Sequence, residues 1–394
     1  MTLIGQGVTI IGAGVAGLAV AQALALRGAR VTVLEQADAI REVGAGLQIS
    51  PNGACVLRAL GLQAGLEASS TRAVAVQLVD GPTGEPVTRL DLARLRPGQG
   101  YHFLHRADLI ALLLKGAEEA GVTLRLLSRA ATVDLSGPHP AVTLDGGERI
   151  ETPLLIGADG LHSRTRVALN GPETPFFTHQ VAWRAVIPCE PGAAPVAEVH
   201  MGPGRHLVSY PLRGSTLRNI VAVEERAKWA EESWTLRDDP MDLRLAFAEF
   251  STRVRGWLDQ VEDPWLWGLF RHTVAGTWVR PIGQGGAAIL GDAAHPTLPL
   301  LAQGASMGLE DAWVLADSLA KHDTAAAALS AYQATRMPRT TRIVAAANAN
   351  ARAYHLSGLP RMIGHAGMRA LGRLSPGTML SRFDWLYGHD VTQG

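Results

Sequence analysis

The sequence predicts an α/β protein: a parallel nucleotide-type layer, interrupted by an antiparallel β-sheet domain and followed by a helical C-terminus. Three observations predict it. An apolar strand signal near the start, "VTIIGAGVAGLAV", runs through a glycine-rich turn into a helix. A second strand-to-helix passage, "ILGDAAHPTLPLLAQGASMGLEDA", spans Ile289 to Ala312. Between them lie alternating or β-rich runs, such as "AEVHMGPGRHLVSYPLRG", broken by Pro and Gly turns.

The first element carries a complete βαβ pattern. Val8 to Ile11 is a short continuous apolar run, as a buried parallel strand requires. Gly12-Ala13-Gly14-Val15-Ala16-Gly17 follows, then an alanine- and leucine-rich helix ending at Gly28, then Val31 to Leu34 and Glu35. In this pattern Gly12 makes the tight turn, Gly14 lets the backbone approach a pyrophosphate, and Gly17 lets helix and strand pack closely. Glu35 stands where a carboxylate accepts hydrogen bonds from an adenosine ribose. Together they predict a bound dinucleotide, whose identity these residues leave open.

The second element narrows the choice. Gly291-Asp292 follows the apolar run Ala287 to Leu290, and Gly304-Ala305 opens an amphipathic helix through Leu309, Ala312, Leu315, Ala316 and Leu319. A second helix N-terminus therefore faces something negative or electron-rich. A nicotinamide dehydrogenase has little use for it, whereas FAD is long enough to need separate anchors at its adenine and flavin ends.

Composition excludes several other classes. The chain has 394 residues, 47% hydrophobic and 18% charged, which suits a folded globular protein of two or three domains. Lys+Arg and Asp+Glu both number 36, so no basic field favours nucleic acid. Cys55 and Cys189 are too far apart in sequence for a CxxC or zinc spacing, so neither a metal nor a dithiol centre is expected, and a reducing cytoplasm fits. The apolar stretch Val8 to Leu26 is interrupted by three glycines and lacks a positively charged start, so it reads as strand and helix, not as a signal or a membrane span.

Three separated motifs, the GxGxxG with Glu35, "GADGLHSRTR" at Gly157 to Arg166 and "GDAAHPTLPLLAQGA" at Gly291 to Ala305, occur in one order. In them the chain resembles the single-component FAD-dependent aromatic hydroxylases, the para-hydroxybenzoate and salicylate hydroxylase group, over nearly its whole length. The resemblance implies a discontinuous Rossmann-like FAD-binding domain at 1–72, 100–172 and 276–340, a substrate-binding sheet at 73–99 and 173–275, and a helical segment at 341–394 that covers the FAD domain or forms a homodimer contact. It implies that Asp292 binds the ribityl or pyrophosphate portion and that the Gly304 and Ala305 amides lie near the flavin pyrimidine. It also assigns to FAD Asp159, Arg164 and Arg106 of "HRADL", together with Arg41 and the segment "GAGLQISPNG", where close backbone approach demands glycine. On the residues alone, Asp159 is equally a turn-forming Asp-Gly.

Within the sheet, alternation places His206, Val208 and Tyr210 of "HLVSYP" on one face. The resemblance puts a similar segment along the substrate, where a His and a Tyr can hydrogen-bond a phenol and assist its deprotonation. Arg184 of "AWRAVIP" can pair with a substrate carboxylate, Pro299 matches a family position beside the substrate, and Leu298, Leu300 and Leu301 are expected to make an apolar wall. His295 is expected to be structural. By the resemblance, NADH or NADPH reduces FAD, O2 adds at flavin C4a, and the hydroperoxide hydroxylates a small phenolic acid such as salicylate; a quinone precursor, purine or pyridine ring is the alternative.

Overall fold

The computed structural model describes residues 3–40, 45–226 and 236–393. Its nucleotide layer is a six-stranded sheet in the order Val279–Ile282, Gly285–Ile289, Leu154–Gly157, Gly7–Ile11, Arg30–Leu34, Thr123–Arg125. All neighbours are parallel except the edge hairpin Val279–Ile282 with Gly285–Ile289. Continuous apolar runs make these strands because both faces are covered: Ile10, Val33, Leu155, Ile156 and Ile289 are fully buried.

Register then does the work of assembly. Ile11 pairs with Gly157, and Gly157 with Ile289, so three strands from distant parts of the chain end side by side. The loops that follow them, beginning at Gly12, Ala158 and Leu290, therefore share one edge of the sheet. In open parallel sheets, ligands bind outside the carboxyl ends of the strands. Gly12 has φ +100°, and a side chain on Gly17 would strike the Gly12 carbonyl and the Ala158 methyl, so the helix Val15–Ala25 can sit this close only with glycine there.

The second layer is a seven-stranded sheet in the order Trp265–Arg271, Phe176–Pro188, Leu217–Glu225, Arg205–Leu212, Val196–Gly202, Ala75–Asp80, Pro86–Asp91. It is antiparallel apart from the pairing of Ala75–Asp80 with Val196–Gly202. One face carries Trp183, Ile187, Leu207, Ile220 and Ala222, buried with Phe247, Val254 and Leu258 from two short helices, Pro240–Ala246 and Thr252–Leu258, and the turn after the first. The opposite face presents three cross-strand rows: Tyr210 beside Asn219 and Val186, Val208 beside Val221 and Arg184, and His206 beside Val223 and Ala182.

A small sheet of Gly46–Ile49, His102–His105 and Thr71–Arg72 joins the layers. The Gly46 amide donates to Asn219 Oδ1 at 2.8 Å, and a Cβ on Gly46 would lie 2.9 Å from the Tyr210 ring, closer than carbon atoms pack. The C-terminal part is helical: Ala325–Tyr354, Gly358–Leu374, Pro376–Ser381 and Asp384–Tyr387. The first of these helices runs unbroken through residue 340, where the sequence reading places a boundary. Arg339 on it donates to the carbonyls of Trp385 and Leu386, each at 3.0 Å, fastening the chain's last aromatic segment. Among the described residues no helix is long and apolar enough to cross a membrane.

Candidate active site

Two cavities open at the shared strand edge. One, of about 510 Å³, is walled by the Gly12 to Gly14 turn, Glu35, Arg129, Asp159 and Arg164. The other, of about 290 Å³, lies between the nucleotide layer and the cavity face of the seven-stranded sheet. Gly14, Ala158 and Gly160 line both, so the two form one trough suited to an extended ligand.

In the first cavity Glu35 is fixed by the backbone it faces. One carboxylate oxygen accepts from the Ala13 amide at 2.8 Å and the other from Ala37 at 2.9 Å, and each keeps a lone pair for a ligand hydroxyl. Asp159 accepts from Ser163 Oγ at 2.5 Å and from the Arg164 amide at 2.7 Å, ordering the start of the helix Arg164–Asn170. Burial raises its carboxyl pKa, against the pull of those hydrogen bonds. Arg41 lies outside the described residues.

The floor of the second cavity is built from charge, open to the cavity at Asp292 and buried behind it at Glu310 and Asp311. Asp292 projects into it; enclosure raises its carboxyl pKa, opposed by His295, Arg106 and His272. Gly304 and Ala305 begin the 18-residue helix Gly304–Lys321 and line the cavity, so its free amides face the ligand. Behind them, Asp311 pairs with His295 and Arg336 and accepts the Gly291 amide at 3.1 Å. Glu310 takes Arg336 at 2.5 Å, Arg339 at 2.8 Å and Asn52 at 2.6 Å. His295, fully buried and packed on Trp278, serves this network behind the cavity wall.

The roof brings together His206, Val208, Tyr210 and Arg184, with Pro299 and Leu300 at the side. Of the three leucines expected in the wall, Leu300 borders the cavity. Leu298 packs with Val221, Val223, Trp267 and Leu300 in an apolar cluster, and Leu301 packs with Met307, Ile343 and Leu386. The 3-10 turn Pro299–Leu301 has no single apolar face in this setting, so neighbouring leucines point to different layers.

Arg184 is enclosed by protein except where it meets the cavity. Its guanidinium lies 4.1 Å from the Trp267 ring centre, its Nε has no hydrogen-bond partner, and among the described residues no carboxylate pairs with it. Burial pushes its pKa down to about 10, opposed by Tyr210. Burial likewise lifts the Tyr210 phenol well above the usual tyrosine range, with Arg184, Gln48 and Asn219 acting against it. His206 Nδ1 lies 2.7 Å from His355 Nε2, and His355 Nδ1 lies 2.6 Å from Glu225 Oε1. Burial drives the His206 pKa well down, with His355 adding to the effect.

Sequence reasoning misses Gln48, Asn219, Glu225, Trp267 and His355. Asn219 was within reach, because the turn Arg213 to Thr216 pairs Leu212 with Leu217 and counting along the hairpin sets Asn219 opposite Tyr210. His355 closes a long helix with no local signal.

Comparison with known proteins matches this architecture. A family model described as an FAD binding domain covers residues 6–347. Over 98% of its length, and 96% of the relative's, the chain is 34% identical to 3-amino-4-hydroxybenzoate 2-monooxygenase PtnB3 of Streptomyces platensis. The chain belongs to the FAD-dependent aromatic hydroxylases. This hydroxylase is also 31% identical to 3-hydroxybenzoate 6-hydroxylase 1 of Aquipseudomonas alcaligenes, over 98% of both chains. Its fold resembles that of a salicylate hydroxylase substrate complex, with a TM-score of 0.81 at 22% identity over 98% of this chain and 96% of that one. It is an FAD-dependent monooxygenase that draws on NAD(P)H and O2. The trough fits FAD: at Gly14 and Gly160, where the two cavities meet, a Cβ would stand in open space, so the backbone alone borders the place where a pyrophosphate must pass.

Proposed function

We propose that this hydroxylase adds one oxygen atom of O2 to the ring of a hydroxybenzoate, with Arg184 holding the carboxylate and His206 taking the phenolic proton. The observation that carries this reading is Arg184, an enclosed guanidinium without a carboxylate partner among the described residues, in the wall that also bears His206 and Tyr210. A buried cation is costly unless an anion joins it. The two relatives compared above, at 34% and 31% identity, are named for hydroxybenzoates, small rings carrying a carboxylate and a phenol.

Gly12, Gly14, Glu35 and Asp159 would hold the adenosine and pyrophosphate end of FAD, with Gly17 packing the helix Val15–Ala25 close beneath; Arg106, Asp292, Gly304 and Ala305 would hold the remainder. When bound and reduced by NAD(P)H, FAD supplies the activated oxygen. The helix-end amides at Gly304 and Ala305 would favour negative charge on a flavin bound in this cavity. Arg184 orients the ring, and Tyr210 supplies a neutral phenol that hydrogen-bonds the substrate. Loss of the phenolic proton to His206 makes the ring electron-rich where oxygen must enter. Pro299, Leu300, Val208, Val221 and Val223 keep water from the reacting centre. Overall, substrate, O2, NAD(P)H and a proton yield hydroxylated product, NAD(P)+ and water.

The test is aerobic oxidation of NADH and of NADPH by FAD-loaded protein with 3-hydroxybenzoate, 3-amino-4-hydroxybenzoate and salicylate, quantifying hydroxylated product and hydrogen peroxide. One of these rings is expected to stimulate oxidation and to yield product in proportion to NAD(P)H consumed. Stimulation by none, or peroxide without product, overturns the reading.

A further inference from the structure

We propose that His355 and Glu225 form a proton relay that carries the substrate's phenolic proton from His206 to solvent. The proposal rests on the reading of His206 as the proton acceptor and extends it to two residues outside the cavity. The geometry is a single file: His206 lines the cavity, His355 lies 2.7 Å behind it, and Glu225 lies 2.6 Å further on with its side chain 51% exposed. His206 is 1% exposed and His355 8%, so water does not reach the middle of the file freely. Backbone hydrogen bonds hold it in place, from the Gly204 amide to the His355 carbonyl at 3.2 Å and from the Glu225 amide to the Gly204 carbonyl at 2.8 Å.

Hydrogen-bond chemistry sets the direction of the file. An ionised carboxylate only accepts, so His355 donates to Glu225 through Nδ1–H. A neutral His355 then presents a bare Nε2, which accepts from His206 Nδ1–H. His206 is left with its lone pair on Nε2, the ring nitrogen not engaged by His355. The relay therefore fixes the tautomer that a base facing a phenol needs.

Transfer runs as three coupled steps. The phenolic O–H breaks as His206 Nε2–H forms; His206 Nδ1–H breaks as His355 Nε2–H forms; His355 Nδ1–H breaks as the proton joins Glu225, which releases it to water. No electrons change hands. A product that leaves as a phenol takes its proton from His206 Nε2, and the reverse hops restore the starting tautomers. The charged and titratable groups facing the file are Glu225 and Arg205 at His355, and the Tyr354 ring against His206. Arg205 is itself paired with Glu224 at 3.6 Å and disfavours a lasting charge on His355.

The test uses full-length FAD-loaded enzyme without oxygen, mixed rapidly with 3-hydroxybenzoate or 3-amino-4-hydroxybenzoate in weak buffer with a pH-indicator dye. Phenolate absorbance and proton release are followed together, below the free phenol's pKa. In H355A, proton release is expected to slow by about tenfold or more, with substrate affinity little changed and the rate restored by added imidazole. E225Q is expected to slow the same phase and to answer instead to buffer concentration. It also serves if H355A fails to hold FAD, because Glu225 lies at the surface. Equal proton-release rates in the variants and the unmodified enzyme overturn the relay while leaving His206 as the base. Absence of phenolate from the unmodified enzyme overturns the base assignment, and the relay with it.

Discussion

The two halves of the trough are built by different means. The nucleotide half is made of backbone: a positive-φ glycine at residue 12, bare glycines at 14 and 160, helix-end amides at 304 and 305, and a glutamate tied at both oxygens to main-chain N–H groups. The substrate half is made of side chains brought into rows by strand register and completed by residues up to 171 positions away, as from Arg184 to His355. A backbone site demands particular residue types at fixed local spacing. A side-chain site demands only that register be kept, and leaves the residue types free to follow the substrate.

This contrast is broken most severely at the junction. At Gly14 an added Cβ meets no atom within 4 Å, so Gly14→Val directs its side chain into the open space where the two cavities meet. The variant is expected to fold with an unchanged melting temperature before FAD is added, and to lose FAD binding, read from flavin absorbance after gel filtration. A variant that keeps its flavin shows that the pyrophosphate does not pass there.

Arg184→Met tests the other half alone. It keeps the bulk and the contact with Trp267 but removes the charge. Loss of a charge-assisted pair of about 1.5–3 kcal/mol raises the dissociation constant for a hydroxybenzoate roughly 10- to 150-fold, while FAD retention stays the same. A phenol without the carboxylate is expected to bind both proteins equally. An equal loss for both ligands points to a packing role for Arg184.

How much of each half was legible follows from this difference. Gly12, Gly14, Gly17 and Glu35 could be read because their roles depend on neighbours within one βαβ unit. The register Ile11 to Gly157 to Ile289 explains why three motifs meet, although nothing local announces it. On the substrate side, alternation alone placed His206, Val208 and Tyr210 on one face, and Arg184 joins them only through pairing with Val221. His355 and Trp267 had no readable signal, since each reaches the site through tertiary packing. Leu298 and Leu301 make the same point: apolar character says that a residue is buried, not whether it borders the cavity or packs behind it.

Leu298→Ala sharpens that last point. Removing a buried leucine from the cluster with Val221, Val223 and Trp267 is expected to cost about 2–5 kcal/mol of stability, measured by denaturant unfolding. Its effect on substrate affinity should be smaller than that of Leu300→Ala, whose side chain borders the cavity. The reverse ranking returns Leu298 to the substrate wall.

The smallest expected effect separates the halves by pH. His206 is buried and its pKa is driven well below its usual value, whereas an unfolded histidine titrates near 6.5. Below about pH 6.5 the unfolded chain therefore binds a proton that the folded His206 refuses, and stability falls as pH falls, by up to about 1.4 kcal/mol per pH unit for one such group. Above that pH the residue is neutral in both states and contributes no slope. His102, His105, His355, His365 and His389 are shifted in the same direction, so the acid slope is shared among them. His206→Asn should flatten the dependence of unfolding free energy on pH between 5 and 6.5 by one group's share, leaving the curve above pH 7 parallel to that of the unmodified protein. An unchanged acid slope means that His206 takes up its proton in the folded state. Such a histidine would be a cation at the cavity wall and unable to accept a phenolic proton at that pH, so a stability measurement without any substrate bears directly on the chemistry of the substrate half.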